Sequence, residues 1–171
     1  MAKTKGQEES ALKKIVIYAV LTAAALLFPS RSVQLGKMKP VELIILRENA
    51  GEIELITDTG DSGTGGSVPA ALKELKETSS GNVYLDTTVY LLVSKDAEMH
   101  ISELKPYLKG KTLVAQVDGK VDAEKLAEYL AVHRPSVRLK DWTEGCRLET
   151  VRKENEKWII EEKDEKMLDK G

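Results

Sequence analysis

The residues best suited to chemistry lie in one short stretch, Asp58 to Gly66, where four of nine residues are glycine, with Ser67 directly after it. Gly60 to Ser67 has the spacing of a phosphate-binding loop: glycine, four residues, glycine, one position, then a hydroxyl. Such a loop works by pointing backbone N–H groups and a helix N-terminus at an anion, with a lysine reaching the outer phosphates. Here Gly66 stands where the lysine should be. Asp58 and Asp61 would also repel phosphate. Nucleotide binding, or hydrolysis by the same loop, is therefore the alternative reading, with Asp58, Asp61, Ser62 and Ser67 as its ligand candidates. The simpler reading is a flexible connection whose glycines let the backbone turn tightly.

Within the same stretch, Gly60-Asp61-Ser62-Gly63 resembles the nucleophile segment of trypsin-like serine proteases. That family places its histidine and aspartate upstream, whereas both histidines of this chain, His100 and His133, come later. A triad is defined by geometry rather than order, but none is assembled by the sequence. His100 with Asp96 and Glu98 could in principle hold a metal, although acids beside a single histidine are usually just solvated. Asp118-Gly119 reads as a turn. Trp142 and Trp158 read as packing anchors. The single cysteine, Cys146, excludes an internal disulfide and a multi-cysteine metal site. No complete catalytic set results, and the expectation is a non-enzymatic chain without cofactor or metal.

The elements that must position these residues follow from periodicity. The chain has 171 residues, enough for one domain with appendages. It is 42% hydrophobic, 32% charged and only 5% aromatic, so the core must be mainly aliphatic. A net charge of −2 with both signs interspersed gives no case for nucleic acid as a partner. Val41 to Arg47 and Glu52 to Thr57 read as a hairpin turning at Asn49 to Gly51. Ser67 is a natural helix N-cap with Pro69 in the first turn, and the helix should run to about Thr78. Val83 to Val93 reads as one long strand, its end apolar on both faces. Ile101 to Leu108 reads as a short or bent helix around Pro106, with Ser102 as a possible cap. Thr112 to Val117 is a strand, and Asp122 caps a helix from Ala123 to Val132. Val137 to Leu139, Arg147 to Arg152 and Lys157 to Glu161 read as short strands, the last two turning at Glu154-Asn155. This order predicts an α/β fold of the α+β type, one mixed β-sheet packed with about three helices.

Ahead of that domain, Ile15 to Phe28 carries no charge, with Lys13 and Lys14 before it and Arg31 after it. A bilayer core asks for about 20 helical residues, and snorkelling of the flanking cations can extend a shorter stretch. The segment therefore reads as an uncleaved single-pass anchor in which Ile15, Tyr18, Leu21, Leu26 and Phe28 face lipid. A cleaved signal and a buried core helix are its rivals. The expected organisation is a basic cytoplasmic tail over 1–14, the anchor over 15–30, a linker over 31–40, the mixed domain over 41–161 and a charged tail over 162–171. The basic N-terminal flank places the main domain outside the cytoplasm.

Ser67-Val-Pro-Ala-Ala71-Leu72-Lys-Glu-Leu75, then Val83-Tyr84-Leu85 to Leu91-Leu92-Val93, then the helix near Ile101 and the strand Leu113 to Val117, follow one another in a pattern seen elsewhere. From Val41 to Leu130 the order resembles the N-terminal domain of the C subunit of bacterial spore germinant receptors. The family anchors through a lipidated N-terminal cysteine, which this chain lacks there. The resemblance implies an extracytoplasmic, non-enzymatic binding or scaffold module whose partners are other membrane or envelope proteins, in the setting of sporulation or germination.

Overall fold

The computed structural model describes residues 17–18, 38–155 and 157–161. The chain divides into two compact units, Met1–Gly36 and Lys37–Gly171. In the first, Ile17 and Tyr18 are helical. The rest of the expected anchor, including Ile15, Leu21, Leu26 and Phe28, lies outside the described residues, as do the tails 1–14 and 162–171. Among the described residues no helix is long and apolar enough to cross a membrane.

The second unit is a mixed α/β domain, as the periodicity predicts. Its strands are β1 (Met38–Pro40), β2 (Leu43–Asn49), β3 (Glu52–Thr57) and β4 (Ser62–Gly65). Helix α1 (Val68–Thr78) leads to β5 (Asn82–Tyr84) and β6 (Tyr90–Val93). Helix α2 (Ile101–Leu104), β7 (Leu113–Val117), α3 (Ala123–Val132), β8 (Thr150–Glu154) and β9 (Lys157–Glu161) complete it. Among the described residues seven strands form one sheet in the order β4-β3-β2-β6-β7-β8-β9, and β1 pairs with β5 in a separate parallel pair. Strands β2, β6, β7 and β8 are parallel, while β3, β4 and β9 are antiparallel additions at the two edges.

Strands β2 and β6 explain the layers. Leu43, Ile44, Ile45 and Leu46, like Leu91, Leu92 and Val93, are completely buried, so both sheet faces must be covered. On one face, α1, α2 and the segment from Val137 to Leu148 bring Leu72, Leu75, Ile101, Leu104, Leu139 and Trp142 onto Ile44, Leu46, Leu55 and Leu91. On the other, α3 brings Leu126 and Leu130 onto Leu43, Ile45, Leu92 and Val151, with Trp158 and Ile160 of β9 packed at the margin. Two helices start with the expected caps. Ser67 Oγ accepts from the N–H of Ala70 at 3.4 Å, and Asp122 accepts from the N–H of Lys125 at 3.3 Å.

Several expectations need correction. The long strand Val83 to Val93 is broken by a 3-10 turn at Leu85–Thr87. Thr87 Oγ1 donates to the carbonyls of Tyr84 and Val41 and accepts from the N–H of Val41, so the polar groups freed by the break are used there. The helix around Pro106 has one α-helical turn set between two 3-10 segments, and Ser102 donates to the carbonyl of Met99 instead of capping. Val137 to Leu139 makes one antiparallel bridge, Leu113 to Arg138, beside the start of β7, while β8 takes the later part of the same edge. The domain also starts inside the expected linker, because Met38–Pro40 is strand β1.

The glycine-rich stretch is the largest departure. Ser62–Gly65 is an edge strand paired with β3, with Gly63 opposite Leu55 and Gly65 opposite Ile53. A Cβ on Gly63 would lie 2.4 Å from the carbonyl oxygen of Ala71 and 2.4 Å from the nitrogen of Leu75. On Gly65 it would lie 2.7 Å from the Cβ of Ala70. The glycines thus let the backbone of α1 press directly on the backbone of β4. Glu74 of α1 accepts hydrogen bonds from the N–H and hydroxyl of Thr64, and Thr78 donates to the carbonyl of Ser62 at 3.1 Å. The helix therefore occupies polar groups along the outer edge of β4.

Gly63→Ala is expected to destabilise the domain by at least the roughly 1–3 kcal/mol typical of overpacking, because backbone cannot yield as a side chain can. Gly66→Ala, which meets open space and has no left-handed φ, should be neutral or slightly stabilising. Equilibrium denaturation followed by the fluorescence of buried Trp142 distinguishes close packing from a flexible loop: equal behaviour of the two variants contradicts the close-packing account.

Candidate functional site

The four loop candidates do not converge on a ligand. The carboxylate of Asp58 accepts from the N–H groups of Glu42 and Leu43 at 3.2 and 3.3 Å and so closes the start of β2. Burial pushes its pKa up despite these bonds. Asp61 pairs with Lys39 of β1 at 3.2 Å and accepts from the hydroxyl of Thr59 at 2.9 Å. Burial opposes its charge, but the Thr59 hydroxyl and the Lys39 ammonium outweigh that and hold its carboxyl below the usual range. Ser62 is exposed on β4, and Ser67 is the cap of α1. Gly63 and Gly65 lie in the ladder with β3, so the stretch is not an open phosphate cradle.

His100 also takes partners other than those the sequence suggested. It lies 2.8 Å from Glu103 and 3.4 Å from Glu48, whereas Glu98 accepts from the side-chain amide of Gln116 at 2.8 Å. Among the described residues no cluster of histidine, cysteine and carboxylates could hold a metal ion.

A different site follows from the topology. After β6 the chain leaves for the face covered by α2, and after the adjacent β7 it leaves for the face covered by α3. Where neighbouring parallel strands send their connections to opposite faces, a crevice must open beyond their carboxyl ends. It is present here, with a volume of about 550 Å³. The ends of β2, β6 and β7 and the loops after them line it with Arg47, Glu48, Ser94, Lys95, Asp118 and Lys120.

Its framework is held from across the sheet. Arg47, at the end of β2, donates from Nη2 to the carbonyl of Gly119 at 2.8 Å, past the end of β6. Gly119 has a φ of 78°, which lets the chain turn sharply from β7 toward α3. The N–H of Ser94 donates to the carbonyl of Leu46 at 2.9 Å, tying the loop after β6 to β2. Among the described residues Lys95 and Lys120 form no ion pair, and both are exposed. The hydroxyl of Ser94 is shielded from water yet has no hydrogen-bond partner. A crevice lined by charges of both signs suits a polar or charged binding partner better than an apolar one.

Sequence reasoning missed this crevice because its residues come from separate connections and share no spacing. The one available signal was the abrupt change from apolar to polar residues at Val93-Ser94 and Val117-Asp118. It carries meaning only once the two strands are known to be neighbours.

The Lys39–Asp61 pair gives a pH test. A depressed folded pKa means that Asp61 stabilises the domain above its unfolded value of 3.8, and that this contribution is lost as pH falls through the lower folded value. Asp61→Asn should cost on the order of 0.5–1 kcal/mol at neutral pH, since the pair is partly solvated. The gap should close in strong acid. Urea denaturation at stepped pH measures it, and a gap independent of pH contradicts the ion-pair account. Comparison of the chain with protein-family models, with curated protein sequences and with solved structures finds no match.

Proposed function

We propose that this chain is a membrane-anchored, non-enzymatic binding module of an envelope-associated complex, and that the crevice beyond β2, β6 and β7 receives its partner. The observation that carries the reading is the position of the crevice within the domain. Strand β1, where the described domain begins, adjoins the starts of β2 and β6 through Val41, whose N–H donates to Thr87 Oγ1 at 3.0 Å. The crevice lies at the opposite ends of the same strands. A domain tethered through the residues before Met38 would hold that crevice away from its point of attachment. The apolar run Ile15 to Phe28 supports the tether, and the resemblance supports a setting in sporulation or germination with other envelope proteins as partners.

Two measurements test this. Photo-crosslinking from the crevice rim in native membranes should capture an envelope protein. Capture should fall roughly tenfold in Lys95→Glu/Lys120→Glu, the size of effect that repulsive charges at an interface can produce. Undiminished capture by a folded variant contradicts the role of the crevice. Separately, the full chain should remain with membranes through a carbonate wash, with the mixed domain digestible from the non-cytoplasmic side. Release by carbonate contradicts the anchor without bearing on the crevice.

A further inference from the structure

The two edges of the sheet are treated differently. At β4 the helix α1 supplies Glu74 and Thr78 to the edge, and glycines bring it close. At the opposite edge, β9 is followed by no further strand among the described residues. It carries Trp158, Ile159 and Ile160, each only half-buried, and pairs with β8 through five consecutive residues without a bulge. A regular apolar edge strand is a template for another strand, and folded proteins normally blunt such edges.

Backbone geometry states what could pair there. The hairpin closes with Glu154 opposite Lys157, followed by Arg152 opposite Ile159 and Thr150 opposite Glu161. In a hairpin with a two-residue connection, the closing pair and every second pair after it exchange hydrogen bonds inward. The N–H and C=O groups of Trp158 and Ile160 therefore point to the outer side. Lys157, Ile159 and Glu161 alternate with them on the opposite sheet face.

We propose that β9 is a self-docking edge, where two copies of this chain join β9 to β9, antiparallel, about a two-fold axis through Ile159. In that register Trp158 faces Ile160 of the second copy, and these residues have the outward backbone groups needed to exchange both hydrogen bonds. Symmetry repeats the pair. Ile159 faces its own copy. Lys157 faces Glu161 of the second copy, and Glu161 faces Lys157, so opposite charges meet at both ends. The sequence Lys-Trp-Ile-Ile-Glu is thus complementary to its own reverse, as an isologous interface requires. Aromatic and β-branched pairs and opposite charges are the cross-strand combinations that stabilise antiparallel sheets. A shift of register by two residues would put Lys157 opposite Ile159 and lose the charge match.

The test uses the full chain in mild detergent, with Cys146→Ser removing the native thiol. Ile159→Cys places two thiols at a non-hydrogen-bonded antiparallel position, where the Cα separation of about 4.5 Å suits a disulfide. Mild oxidation should give a disulfide-linked dimer, whereas Ser62→Cys on the opposite edge should stay monomeric. Lys157→Glu should reduce the Ile159→Cys dimer several-fold, and adding Glu161→Lys should restore it. A second measurement needs no substitution. Carbodiimide treatment of mixed light- and heavy-isotope chains should yield a Lys157–Glu161 amide that joins one isotope to the other. Equal dimer from both edges, or no mixed-isotope amide from the native chain, overturns the proposal. So does a dimer that forms only after residues 162–171 are removed, since the tail would then occupy the edge.

Discussion

The first four residues of β2 and all of β6 have no solvent-facing side, and the domain is arranged around that constraint. Leu43 to Leu46 and Leu91 to Val93 lose all contact with water, which no single layer of helices could achieve. The chain must therefore cover both faces, and having placed α1 and α2 on one it must cross to the other. It crosses after β7, next to the strand whose connection leaves the opposite way. The crevice is the gap between those departures. A demand for apolar burial thus creates a polar cleft, because the side chains at the strand ends no longer have neighbours above them. Arg47 and Gly119 brace it across β6, so its width is set by the backbone of the sheet.

Much of the fold was legible because its signals are local. The alternation in Glu52 to Thr57, the apolar end of Tyr90 to Val93 and the caps Ser67 and Asp122 each report on their own few residues, and each formed as expected. Errors arose where a distant element decided the outcome. Nothing near Gly63 announces that α1 will lie against it, and glycine has little strand preference of its own, so Ser62–Gly65 reads as loop until the helix is docked. Leu85–Thr87 similarly bends because Thr87 bonds Val41, more than forty residues earlier in the chain. The candidate site was less legible than the fold for the same reason: Arg47, Ser94 and Lys120 are neighbours only through the strand order.

Asp58, Asp61, Ser62 and Ser67 show how chemically suggestive residues can be absorbed by architecture. A carboxylate that accepts two backbone N–H groups, a carboxylate held by a lysine and a hydroxyl on a helix end each perform work that a loop without them would leave undone. Their density near the turn Thr57 to Gly60 reflects how many chain segments end there. The start of β2, the end of β3 and strand β1 all require partners within a few residues of one another.

Strand β1 has a mechanical consequence. It lies parallel to β5, three residues against three, and Lys39 within it is held by Asp61. A force directed along β1 would load these pairings in shear, so that they yield together and not one at a time from an end. The first part of the domain to give way under such tension would be this small clamp. The seven-stranded sheet contains neither β1 nor β5, so opening this clamp breaks none of the strand pairings that frame the crevice.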